Sequence, residues 1–185
     1  YSFLQGFDPQ KTIEFAVAAS DTPPEEYRQT IQVPFPPQSL LSGIQQECPE
    51  ERYLFYRKSF PRPEGFKNGR VLLHIGAADQ IADVWLNGTH LGKHVGGYEP
   101  FSFEVTDVLK TENTLMVRVE DHMSSFVLPY GKQSKKRGGM WYTPVSGIWQ
   151  TVWLERVPER FVERIEIETG LHWAEITVES DVPDG

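Results

Sequence analysis

The chain has 185 residues, of which 39% are hydrophobic and 24% charged, with a formal net charge of −8. That balance excludes a disordered or fibrous chain, and eleven Phe, seven Tyr and five Trp supply a core. The acidity argues against a nucleic-acid or anionic-membrane binder, no apolar run is long enough for a membrane helix, and the single Cys48 excludes a disulfide framework or a cysteine metal cage.

Tyr1-Ser2-Phe3-Leu4-Gln5 has neither the basic region nor the apolar stretch of a signal peptide, and the localisation reading leans cytoplasmic. There is no initiator Met, and residues 181–185 close no element, so both ends read as cut from a longer chain. Residues 23–28 have the composition for one helical turn. Pro34, Pro36 and Pro37 then exclude a central strand, and the segment reads as an extended edge or loop anchored by Val33 and Phe35.

From there the periodicity is two. Leu54 and Tyr56 alternate with Tyr53, Phe55 and Arg57. Val71, Leu73 and Ile75 alternate with Leu72 and His74, and Ala82, Val84 and Leu86 with Asp83 and Trp85. Asn87-Gly88 between apolar runs is a tight hairpin signal, because both residues tolerate positive φ. It explains Asn87-Gly88-Thr89 better than a glycosylation sequon does. Phe101, Phe103 and Val105, then Leu115, Val117 and Val119, then Val152 and Leu154 continue the pattern, with one turn expected at residues 107–110. About seven or eight strands are expected before residue 156. A restart follows, in which Ile165 and Ile167, then Ala174, Ile176 and Val178, form one hairpin. The fold class is all-β, an antiparallel jelly-roll sandwich with a C-terminal β-hairpin. Residues 1–157 are read as the sandwich domain and 158–185 as the start of a second β-domain.

Chemistry is sparse. There is no Gly-x-Ser-x-Gly elbow and no phosphate loop before a helix. His90 and His94 read as loop hydrogen-bonders rather than metal ligands, so no metal or cofactor is expected. Twenty-six acidic residues permit no choice of a catalytic carboxylate pair. The Gly-rich stretch from Tyr130 to Tyr142 carries Lys132, Lys135, Lys136 and Arg137 with aromatics at its end. It reads as an exposed loop able to reach a binding cleft, its aromatic faces suited to the C–H faces of sugar rings.

Several segments together resemble the N-terminal sugar-binding domain of glycoside hydrolase family 2, the family of β-galactosidases, β-glucuronidases and β-mannosidases. They are Val33-Pro34-Phe35 with Leu41-Ser42-Gly43-Ile44; Leu54-Phe55-Tyr56-Arg57-Lys58; Val84-Trp85-Leu86-Asn87-Gly88 through Gly96-Gly97-Tyr98-Glu99-Pro100-Phe101; and Ser146-Gly147-Ile148-Trp149. The resemblance implies a galactose-binding-like jelly roll, followed by an immunoglobulin-like sandwich and a (β/α)₈ barrel carrying both catalytic glutamates. It therefore implies a parent enzyme that cleaves O-glycosidic bonds of β-glycosides. No catalytic residue is assigned in this chain. The domain is expected to pack on the barrel and to lend it Lys132, Gln133, Trp141 and Tyr142 as candidate sugar contacts. Where several members of the family place a sugar-contacting Asp, this chain has Trp141. The rival readings are a free-standing carbohydrate-binding module or lectin, and a purely structural domain.

Overall fold

The computed structural model describes residues 13–49, 52–122 and 128–180. The chain ends read above, residues 1–5 and 181–185, lie outside them. In chain order the strands are β1 (Ile13–Ala18), β2 (Gln29–Ile31), β3 (Tyr53–Pro61), β4 (Arg70–Ile75), β5 (Ala78–Asp79), β6 (Ile81–Leu86), β7 (Thr89–Val95), β8 (Phe101–Glu104), β9 (Glu112–Glu120), β10 (Gly147–Ile148), β11 (Val152–Val157), β12 (Val162–Thr169) and β13 (Ala174–Ser180).

Six strands form the larger sheet, in the order β2-β1-β3-β9-β6-β7, and β11-β4-β8 form a smaller one. All pairings among them are antiparallel. The period of two explains the core: Leu54 and Tyr56 from β3, Val84 from β6 and Val117 and Val119 from β9 are buried together with Leu73, Ile75 and Leu154 of the smaller sheet. Each such side chain contributes about 1.5–3 kcal/mol of apolar transfer. This is an all-β sandwich, as the alternation requires.

More strands occur than the alternation alone indicates. β1 contains Ala16 and Ala18, weak strand formers, and is held by five register pairs to β3. β5 and β10 are two residues each and exist only through the pairs Gly147↔Asp79 and Ile148↔Ala78.

The Asn87-Gly88 turn has φ values of 54° and 83°, the positive pair a primed turn demands. Asn87 does more than turn the chain. Its Nδ2 donates to Val108 O at 2.7 Å and Asn113 Oδ1 at 2.9 Å, and its Oδ1 accepts from Thr114 N at 2.9 Å. Val108 N and Leu109 N both donate to Val105 O, which makes the turn expected there.

Two local expectations are corrected. Residues 23–28 form no helical turn; Tyr27 instead lies under the Arg57 guanidinium, 4.1 Å from its ring centroid, and the chain runs on into β2. The 3-10 turn sits at Leu40–Ser42, where the Ser39 hydroxyl accepts from Leu41 N and Gly43 closes the turn at φ 80°. His90 and His94 lie on strand β7 rather than in a loop. His90 Nε2 meets Asp83 Oδ1 at 3.0 Å, and His94 stacks on Phe101 at 4.1 Å, so pairing and ring stacking place them there. No group of potential metal ligands occurs among the described residues.

β12 and β13 pair with each other in a separate two-stranded sheet. Ile165 faces Val178 and Ile167 faces Ile176, and all four are exposed. Near its start, Glu163 pairs with Arg70, whose guanidinium lies over the Phe161 ring.

Candidate functional site

The loop from Gly131 to Tyr142 is closed by its own backbone. Tyr142 N donates to Lys132 O at 2.7 Å, and Ser134 N donates to Tyr142 O at 3.1 Å. At the tip, Trp141 N donates to Gly138 O at 3.2 Å, with Gly139 at φ 62° permitting the reversal. Lys136 N donates to the Ser134 hydroxyl at 3.2 Å. Two limbs are thereby held side by side.

Gln133 fastens this loop to the sandwich. Its Oε1 accepts from Val145 N at 2.6 Å, and its Nε2 donates to Asp79 Oδ2 at 3.4 Å. Arg137 pairs with Glu47, tying the tip to the segment before β3. Beneath the loop, Tyr98 packs edge-on against Trp149 at 6.1 Å, and the Trp149 indole donates to Gly97 O at 2.8 Å. Gln38 bonds both the hydroxyl and the backbone N of Ser146, which joins the proline-rich segment to the Ser146-Gly147-Ile148 stretch.

All four candidate residues therefore lie in or beside one closed loop. Lys132 is exposed, Trp141 is 42% exposed and Tyr142 67%. Gln133 is turned inward and half-buried, where it holds the loop.

Asp79 escapes a reading of periodicity. It ends β5 at 4% exposure, and burial first, then the nearby Asp121 carboxylate, pushes its carboxyl up to about 7 against the opposing hydrogen bond from Gln133. Its Oδ1 has no hydrogen-bond partner, and a side chain at Gly97 would run into this carboxylate. Gln80 beside it is wholly buried, with neither end of its amide paired. The only sequence signal was an acid–amide pair, Asp79-Gln80, set between two apolar runs.

Among the described residues the site holds no nucleophile with a base to activate it. Cys48 is buried and its thiol is pushed up to about 12, chiefly by burial. What the loop offers is a backbone-closed surface that exposes aromatic side chains and lysines.

Residues 29–180 match the family model described as "Glycosyl hydrolase 2 galactose-binding domain-like". A β-galactosidase of Thermoanaerobacter pseudethanolicus is 31% identical over 122 residues, covering 63% of this chain and 16% of that protein. A β-glucuronidase of Chlorocebus aethiops is 25% identical over 195 residues, covering 92% of this chain and 30% of that protein. The solved structure of a β-D-glucuronidase from Dictyoglomus thermophilum shares the fold over 92% of this chain and 32% of its own, with a TM-score of 0.69 at 21% identity. The chain thus spans less than a third of the length of each.

Proposed function

The chain belongs to the glycosyl hydrolase 2 galactose-binding-like family, and from that premise we propose that it is the non-catalytic sugar-binding domain of a retaining β-glycosidase. It packs on the catalytic barrel and lends the loop of residues 131–142 to the rim of the active site. The observation that carries this reading is the loop itself: it is closed by backbone bonds, pinned through Gln133, and presents Trp141 and Tyr142 outward. Preorganised aromatic faces stack on sugar rings without a further ordering cost. Residues 1–157 form this domain. Residues 158–185 begin an immunoglobulin-like sandwich, a reading supported by the exposed apolar face of β12 and β13.

Two measurements test the proposal. The 185-residue chain alone is expected to hydrolyse no nitrophenyl glycoside, and turnover by a clean preparation would reject the non-catalytic assignment. In the full-length enzyme, Trp141→Ala with Tyr142→Ala is expected to lower kcat/KM for a nitrophenyl β-glycoside about 3- to 10-fold, the size of a lost stacking contact. Unchanged kcat/KM would remove the loop from the rim. The exposure of Trp141 and Tyr142 equally suits a free-standing carbohydrate-binding module. Calorimetric binding of a galactoside, glucuronide or mannoside by the chain alone, lost in Trp141→Ala, would favour that second reading.

A further inference from the structure

The outer face of the smaller sheet carries a line of polar side chains that a sugar-contacting loop does not use. In β4 and β11 the side chains of Leu73, Ile75 and Leu154 enter the core, so alternation turns His74, Trp153 and Glu155 to the opposite face. Ser102 of β8 and Trp153 of β11 are the register partners of His74 on its two sides. Glu155 stands opposite Leu72, one diagonal step from His74, within reach of a long side chain.

The polar groups meet on this face. Ser102 Oγ lies 2.6 Å from His74 Nδ1, and Glu155 Oε2 lies 3.1 Å from His74 Nε2. Trp153 stacks on the imidazole, with ring centroids 4.7 Å apart and planes 17° from parallel, and so fixes the plane of the ring. The neighbouring Glu104 carboxylate is bound to Arg70 at 2.8 Å, which leaves Glu155 as the carboxylate that faces the imidazole. An ionised carboxylate accepts and cannot donate, so Glu155 favours the tautomer with its proton on Nε2. Nδ1 then carries the lone pair and accepts from the Ser102 hydroxyl. Ser102 is exposed, so its oxygen is open to solutes. A hydroxyl whose proton is already directed at an oriented imidazole is the arrangement that activates a serine.

From this geometry we propose that Ser102 is a nucleophile that takes small acyl groups from esters, with His74 as its general base and Glu155 as the residue that positions the base. Oγ bonds to the acyl carbon as its proton passes to Nδ1. The bond from that carbon to the leaving oxygen breaks, and the imidazolium returns the proton to the leaving group. Water, deprotonated by the same imidazole, then attacks the acyl carbon, releases the carboxylic acid and restores the serine. Ser102 stands on an open sheet surface, which suits an acyl group as small as acetyl. General-base assistance contributes about 10²- to 10⁴-fold, enough for an ester whose leaving group departs readily. The proposal is independent of the loop of residues 131–142, and none of its residues lies in that loop.

The test uses the 185-residue chain with 4-nitrophenyl acetate, read as nitrophenolate release and as the mass of the peptide that contains Ser102. The expected result is an acetyl group on Ser102 and release about 100-fold faster than in Ser102→Ala. His74→Gln keeps a hydrogen-bonding amide without a base, and should remove the label from Ser102 while the circular dichroism stays that of the parent. Glu155→Gln should lower kcat about ten-fold, as removing the partner that orients a histidine does, with KM unchanged. A purely structural Glu155 would not give that split.

Acetyl groups confined to lysines, or release as fast in Ser102→Ala as in the parent, would overturn the proposal. Labelling of Ser102 that survives His74→Gln would overturn the assignment of the base. Should His74→Gln unfold, Ser102→Ala and Glu155→Gln stand at solvent-facing positions and decide the question by the same readings, an unchanged kcat in Glu155→Gln counting against the oriented imidazole.

Discussion

Asp79 shows what one buried carboxyl does to the energetics of a small domain. Folding raises it from its ordinary 3.8 to about 7, so the folded chain holds this proton more tightly than the unfolded chain does. The stability this contributes is fully present below about pH 4 and is lost as the pH rises toward 7. Three pH units correspond to about 4 kcal/mol at most. Asp79→Asn keeps an acceptor for Gln133 and never charges. Its urea midpoint is expected to fall less between pH 4.5 and pH 8 than that of the parent, and an equal fall in the two proteins would assign the dependence elsewhere. Periodicity could not have found Asp79. Its significance lies in the closeness of Gly97, Gln133 and Asp121, which are 18, 54 and 42 positions away in the chain.

At the scale of elements, most strands were legible because one buried face per strand writes a period of two into the sequence. β4 and the second half of β9 show this plainly, β3 and β6 each bury three consecutive residues at Leu54 to Tyr56 and Ala82 to Val84, and the Asn87-Gly88 turn identifies itself by its backbone requirement. The strands that escaped were β1, with its alanines, the three-residue β2, and the two-residue β5 and β10, which only pairing defines. The candidate loop was legible in composition but not in closure. Gln133→Ala removes the bond to Val145 and the bond to Asp79 while leaving the backbone contacts of the limbs. Trypsin is expected to cut after Lys132, Lys135, Lys136 or Arg137 several-fold faster in this variant, because local opening becomes easier. An unchanged cleavage rate would show that the backbone bonds alone hold the loop.

At the scale of the whole molecule, the sandwich and the hairpin of β12 and β13 differ in kind. The sandwich buries side chains from two sheets, whereas a lone hairpin is marginal in water. Among the described residues, Arg70 joins the two through Glu163 and Phe161. A chain ending at residue 157 is therefore expected to keep its near-ultraviolet circular dichroism and to melt within about 4 °C of the parent, a shift of about 1 kcal/mol for a domain of this size. Loss of cooperative melting would show instead that the hairpin completes the sandwich core. By itself the sequence determined the all-β class, the hairpin turn, the family likeness and the loop that carries the aromatic and basic side chains. These depend on local alternation, on turn conformation and on motifs contiguous in the chain. Only the tertiary structure decided that Gln133 is an anchor, that Asp79 lies buried beneath the loop, and which lysines remain exposed. Each of those facts depends on which distant groups fold into contact, and no spacing along the chain encodes that distance.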